Sequence, residues 1–496
     1  MPLLLILLTV AACLPTSRFA PPAGVSRLDT LLLTLVTMAV PVLVTALGCR
    51  AVARQAVADR PAAARRYNKL RPRTALLTLA GAVASVVFWG WSDAVARTVV
   101  VQYHGRWLLA PFAELLMPLP YYVALLCNWV AHHDAERALH RTGPDAADGY
   151  WSRGGFVGFQ ARHVVLFVGL PIGFYAANQT FARFFAETAA SPWAQAAALA
   201  AVLFAFATFP RVVPAVLGLV PLPAGPQRDR LAGTAARLGV RFTRLLLWPT
   251  RGTGMNAMVL GLIPQARYVI FTDRILTTLT PAELDAVLGH ECGHVRRGHL
   301  WLYPAFLVLS SVLLAAGGAL AEDSVGAGWV TGGYGWAAGV APLAGMGVWL
   351  FLVFGWLSRA CEREADVFGA RAGSCLDPHC AGHADDTILA PRGRALCRTG
   401  ALAMVAALDR VGEASGSDRP KRLPLRRRAQ AWFRAWQHGP MSHRIAFLLR
   451  LADDPSLGDR ADRAAFRAKA GLLALLAAAA AATSAFLDWS DLLAGP

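Results

Sequence analysis

Hydrophobic residues in this chain gather in long uncharged runs, not in the short stripes of amphipathic elements. A helix crosses a bilayer with about 17–25 apolar residues. Runs of that kind fall at 30–49, 74–92, 115–131, 163–182, 188–220, 301–321, 334–357 and 470–487. Buried helices of a soluble protein rarely stay uncharged over so many separate stretches. The pattern predicts a mainly α, multi-pass helical membrane protein with about eight spans. Two ionisable residues touch these runs, Glu114 at the mouth of the third and Arg211 beside Pro210 in the fifth. Each is read as marking an interfacial end of its span, although charge at membrane depth is also a sign of function.

Composition agrees. The 496 residues are 56% hydrophobic and 16% charged, with mean hydropathy +0.44; soluble domains carry roughly a quarter charged residues. The net charge of +17 is almost all Arg, with Lys only at Lys69, Lys421 and Lys469. Its distribution tests the span count. The loop 50–73 has eight bases against one acid, Asp59. Glu322 and Asp323 follow the sixth span, and Asp488 and Asp491 follow the last, with no base beside them. Alternating the spans collects 50–73, 132–162, 221–300 and 358–469 on one side. That side holds most of the Arg and is assigned to the cytoplasmic face of a bacterial cell membrane. The basic charge therefore implies a lipid bilayer as partner, and no nucleic acid is expected. Eight scattered cysteines make no disulfide framework. Residues 1–14 are apolar but too short for a span and lack the basic start of a signal peptide; a short anchor, a lipoprotein-like box or a misplaced start remain open.

One stretch carries chemistry. Residues 280–300 open with Thr280, Pro281 and Glu283, an N-cap, a first-turn proline and a capping box. Leu284, Val287, Leu288 and Val295 recur at helical spacing. On that helix His290 and His294 stand one turn apart and can bind one metal ion. Glu291 is placed to reach a metal-bound water as general base. Two imidazoles, one carboxylate and an open fourth position form a catalytic zinc pattern, which predicts one Zn²⁺ per subunit. His299 lies about 140° further round a continuous helix and is read as no ligand. Cys292 is read as a packing residue.

The third ligand is sought where the chain returns after two spans, at Ser-Arg-Ala-Cys-Glu-Arg-Glu-Ala-Asp, 358–366. Glu362 and Asp366 share a helix face, with Glu364 opposite. Glu362 is taken as the ligand and Asp366 as the partner that orients a ligand histidine.

These features together resemble the HtpX-type and type I CaaX prenyl protease family of membrane zinc metallopeptidases. The resemblance covers about 223–452. It rests on Asn256-Ala257 before a strand-like stretch ending at 268–271, the capped His-Glu-Cys-Gly-His helix, a pair of spans, Ser-Arg-x-x-Glu-x-x-Ala-Asp, and His438-Gly439-Pro440 with Arg444. The family usually has His-Pro-Pro, and Gly439 replaces its first proline. The resemblance implies a zincin-like cytosolic catalytic domain carrying a small β-sheet. It implies a protein or peptide substrate held along an edge strand, Asn256 near the substrate backbone, and His438 and Arg444 as catalytic groups stabilising the oxyanion.

The expected organisation is a short apolar segment (1–27), a five-span region (28–222), the first half of the peptidase domain (223–300), a two-span hairpin (301–357), the second half (358–469) and a last span (470–496). The expected activity is zinc-dependent endoproteolysis of membrane or membrane-associated proteins. CaaX-type processing of prenylated peptides and an inactive scaffold or transporter are the alternatives. Cys375, His379, Cys380, His383 and Cys397 fit no standard zinc spacing and read as an irregular loop. The basic and aromatic segment 419–436 reads as lying on anionic lipid.

Overall fold

The computed structural model describes residues 24–96, 116–142, 149–169, 184–252, 254–310, 347–374, 396–414 and 436–484, with isolated positions between them. Residues 1–14, Glu114, positions 375–395 of the cysteine-bearing insertion and 419–435 lie outside the described residues. Two compact units part between Leu203 and Phe204.

The first unit is helical. It contains α1 (Arg27–Ala58), α2 (Arg60–Val87), α3 (Leu119–Arg141) and α4 (Arg153–Val164). Ser26 and Asp29 form a capping box at the start of α1, and Asp59 closes α1 while capping α2 through Ala62 N–H at 2.9 Å. The buried seam of α1 runs through Thr30, Thr34, Met38, Pro41, Thr45, Cys49 and Val52, repeating every three or four residues. Its exposed positions are Leu28, Leu31, Leu32, Leu35, Val36 and Leu43. The inward face of α2 likewise carries Thr74, Thr78, Gly81 and Ser85, and Asn128 on α3 donates to the Thr78 hydroxyl at 2.9 Å. Small and hydroxyl-bearing residues inside with Leu and Val outside is how helices pack in lipid, where burying apolar surface gains nothing.

The second unit holds a four-stranded mixed sheet in the order β1 (Val220–Pro221), β2 (Arg244–Trp248), β4 (Tyr268–Thr272), β3 (Ala257–Leu260). β2 and β4 run parallel, and β3 pairs antiparallel with β4 as one edge. The strand-like stretch after Asn256 is thus two strands. Gly261 at φ 110° and the turn at Pro264–Ala266 fold it back. Helices α5 (Pro226–Arg237) and α6 (Pro281–Arg296) contribute to a core with Leu231, Val269, Phe271, Leu284 and Leu288. The chain continues through α7 (Gly355–Ala372), α8 (Arg398–Ala414), α9 (Met441–Asp453) and α10 (Ser456–Ser484).

Among the described residues, α1, α2 and α10 are long and apolar enough to cross a membrane. The predicted runs at 188–220 and 301–321 contain shorter apolar helices, Ala207–Leu217 and His299–Ser310.

Candidate metal centre

α6 begins as its sequence demands. Thr280 N–H donates to Glu283 Oε2 at 2.9 Å, and Glu283 N–H donates to the Thr280 hydroxyl at 3.4 Å. From Glu283 to Gly293 nearly every residue is buried, so polar groups on this helix face protein. α7 lies hard against it because both helices carry glycine at the crossing. A Cβ at Gly289 would run into Ala372, and one at Gly369 would stand 2.6 Å from Ala286 O and 3.1 Å from His290 N. That closeness lets a carboxylate on α7 reach the imidazoles on α6.

His290, His294 and Glu362 come together, with one donor atom from each inside 4.8 Å of the others. The Nε2 atoms of His290 and His294 are 3.2 Å apart. Glu362 Oε2 is 3.6 Å from the first and Oε1 is 3.7 Å from the second. Donors set tetrahedrally at about 2.0–2.1 Å from an ion lie roughly 3.3–3.4 Å from one another. The donor set and its spacing therefore fit a zinc-sized cation.

Asp366 Oδ1 stands 3.0 Å from His290 Nδ1, on the side of the ring away from the other donors. Arg444, on α9, reaches both carboxylates: its Nε donates to Asp366 Oδ2 at 2.8 Å and its Nη1 lies 3.1 Å from Glu362 Oε2. His438 Nδ1 is 2.8 Å from Glu362 Oε1, and its ring is largely exposed. The resemblance implies an oxyanion partner at both positions; in this structure both side chains engage Glu362. Asn256 is exposed just ahead of β3, with its backbone paired to Thr272.

Glu291 faces the sheet. The register puts Asn256 opposite Thr272 in a bonded pair, so two residues on, Met258 faces β4 while Val259 turns its N–H off the edge. That N–H donates to Glu291 Oε2 at 3.0 Å.

Electrostatics divide the acids. Burial opposes ionisation of Glu362, but Arg444, His438 and His290 overcome it and hold the carboxyl well below its usual range. Asp366 is buried too, and Arg444 and His290 hold it low. Burial alone would depress His290; Asp366 and Glu362 reverse this and raise it. Burial and the neighbouring His290 push His294 well below the ordinary histidine value. Around Glu291 burial outweighs His290 and His438 and lifts the carboxyl to about 7. The surroundings thus favour the ionised form of Glu362 and disfavour that of Glu291.

Residues 230–385 match the model of peptidase family M48, a stretch that includes both histidines, Glu291, Glu362 and Asp366. In this segment the chain resembles peptidase family M48. The resemblance to the HtpX and CaaX protease family holds. Across 161 residues the chain is 30% identical to a protease HtpX homolog of Persephonella marina, covering 30% of this chain and 51% of that protein. A protease HtpX homolog of Pyrobaculum calidifontis is 32% identical over 34% of this chain and 48% of its own. A probable CAAX prenyl protease 1 of Schizosaccharomyces pombe is 26% identical over 34% of this chain and 37% of that one. The chain thus spans about half, or less, of the curated relatives it matches. The crystal structure of S. mikatae Ste24p shares the fold, with TM-score 0.54 and 13% identity over 85% of this chain and 98% of that one.

His299, read as no ligand, stays outside the donor trio but meets one of its histidines. α6 ends at Arg296, and Gly298, at φ 73°, turns the chain. His299 therefore leaves the helical path assumed for it and returns to His294, Nδ1 to Nδ1 at 3.0 Å. The signal was Gly298 itself, a helix-ending residue.

Proposed function

We infer that this chain is a membrane-bound zinc endopeptidase of the HtpX and CaaX type. His290, His294 and Glu362 are its ligands for one Zn²⁺ per subunit. The observation that carries the reading is the convergence of the three side chains, with one donor atom from each inside 4.8 Å of the others. Held by these three side chains, zinc would supply Lewis-acid chemistry toward the scissile carbonyl and would lower the pKa of a bound water.

The chain's own residues do the rest. Glu291 takes the proton of the attacking water and passes it to the leaving amine. Its raised pKa suits a group that must both accept and return a proton. Asp366, with Oδ1 3.0 Å from His290 Nδ1, favours the proton on that nitrogen and so the lone pair on Nε2. An extended substrate adds to the outer edge of β3, where the Val259 carbonyl faces outward beside the N–H held by Glu291, with Asn256 beside the substrate backbone. His438 and Arg444 complete the site by stabilising the oxyanion. Arg444 also keeps Glu362 and Asp366 anionic.

The remaining bilayer-facing architecture is proposed as about eight spans, with the zincin-like domain on the cytoplasmic side. Backbone recognition along an edge strand tolerates many side chains, which favours general proteolysis of membrane or membrane-associated proteins. Processing of prenylated peptides is the second reading, supported by the match to a protein named as a CAAX prenyl protease. Proteomics of cells carrying wild type or Glu291→Gln tests the choice. Many unrelated membrane proteins retained by the variant support general proteolysis, and one prenylated class supports processing. Zinc uptake with no cleavage of any substrate by wild type would favour an inactive scaffold.

A further inference from the structure

We propose that His299 is a positioning residue that fixes the tautomer of His294, anchored through Glu364 to Lys469 on the C-terminal helix. The proposal rests on the zinc-site reading and concerns the ligand that Asp366 does not touch.

His299 is wholly buried, and its two ring nitrogens face different partners. Nε2 lies 2.9 Å from Glu364 Oε2, and Nδ1 lies 3.0 Å from His294 Nδ1. A carboxylate only accepts, so the His299 proton sits on Nε2. In the neutral ring Nδ1 is then an acceptor. The facing nitrogen of His294 must donate, so His294 carries its proton on Nδ1 and presents a lone pair at Nε2. That is the nitrogen 3.2 Å from His290 Nε2 and beside Glu362. The opposite tautomer would aim an N–H at the place of the ion.

The far end of the chain is held as firmly. Glu364 is buried, and it accepts from Lys469 Nζ at 2.7 Å. Lys469 also donates to Arg297 O at 3.1 Å, just where α6 ends. Arg297 Nε lies 3.5 Å from the other Glu364 oxygen. Lys469 supplies a counter-charge to the buried Glu364. The two ligand histidines are thus oriented differently: His290 by a carboxylate directly, His294 by a carboxylate acting through a second imidazole. Glu362 and Glu364, two residues apart on α7, serve opposite ends of this arrangement.

The test uses the full chain purified in lipid nanodiscs. Zinc affinity is read by competition with a chromophoric chelator, and the ligand field by visible absorption after cobalt substitution. His299→Leu fills the space without an acceptor and should weaken zinc about ten- to a hundred-fold and alter the cobalt spectrum. His299→Asn can set its amide oxygen near the former Nδ1 position and should stay within about threefold of wild type by the same measure. If leucine does not fold, His299→Ala takes its place. Leucine or alanine binding zinc like wild type overturns the proposal. Asparagine as weak as leucine overturns it too, because the role would then be packing. Wild type that takes up no zinc or cobalt would instead sink the metal-site reading beneath it.

Discussion

The backbone N–H of Val259 points off the free edge of the sheet and donates to Glu291 Oε2 at 3.0 Å. The strand proposed to receive substrate therefore also holds the proposed general base. Proline is tolerated at an edge-strand position whose N–H is outside the ladder, so Val259→Pro removes this one bond. Turnover should fall about ten- to a hundred-fold, the worth of a hydrogen bond to a charged group, with zinc content unchanged. The bond favours the carboxylate. Its loss raises the Glu291 pKa, and the acid limb of kcat/KM should move to higher pH. An unmoved limb would count against Glu291 as the base.

Glu291→Gln should retain zinc and lose turnover by about a hundred- to ten-thousand-fold. His290→Ala and Glu362→Ala should lose the metal itself. Metal analysis beside a peptidase assay separates the two outcomes. A chelator should abolish wild-type cleavage and added zinc restore it. Full activity in Glu291→Gln contradicts the mechanism.

Gly369→Ala tests the helix crossing. Its Cβ would meet Ala286 O at 2.6 Å, a backbone atom that cannot turn aside. Overpacking of this kind costs about 1–3 kcal/mol, and here it pushes α7 away from α6. The expected result is a lower unfolding midpoint together with weakened zinc binding. Native affinity would show that the helices need not touch so closely.

Arg444→Met leaves Glu362 and Asp366 buried without their shared cation. Breaking a buried pair from one side costs about 3–5 kcal/mol, so stability and metal content should both drop. If Arg444 acts on the oxyanion alone, the variant will instead keep its zinc and its midpoint while losing kcat. Denaturation curves and metal analysis on one preparation distinguish these results.

The capping of α6, the shared face of His290 and His294, and the shared face of Glu362 and Asp366 were legible because they are local and follow helical period. The meeting of α6 with α7 is not local. It depends on glycines at 289 and 369, which a sequence shows only as residues without side chains. His299 was misplaced because the angular argument assumed that α6 continued past Gly298. Lys469 is remote in sequence from both α6 and α7, and nothing local links it to Glu364. The apolar runs foretold membrane helices but not which face of each turns inward. That face is set by packing of small residues, which periodicity of hydrophobicity does not report.

The inward threonines and outward leucines of α1 bear on any attempt to make this protein water-soluble. Replacing Leu28, Leu31, Leu35 and their neighbours by charged residues would leave a bundle with hydroxyls at its centre and little oil to hold it closed in water. A soluble redesign would have to rebuild the interior seam before touching the exterior.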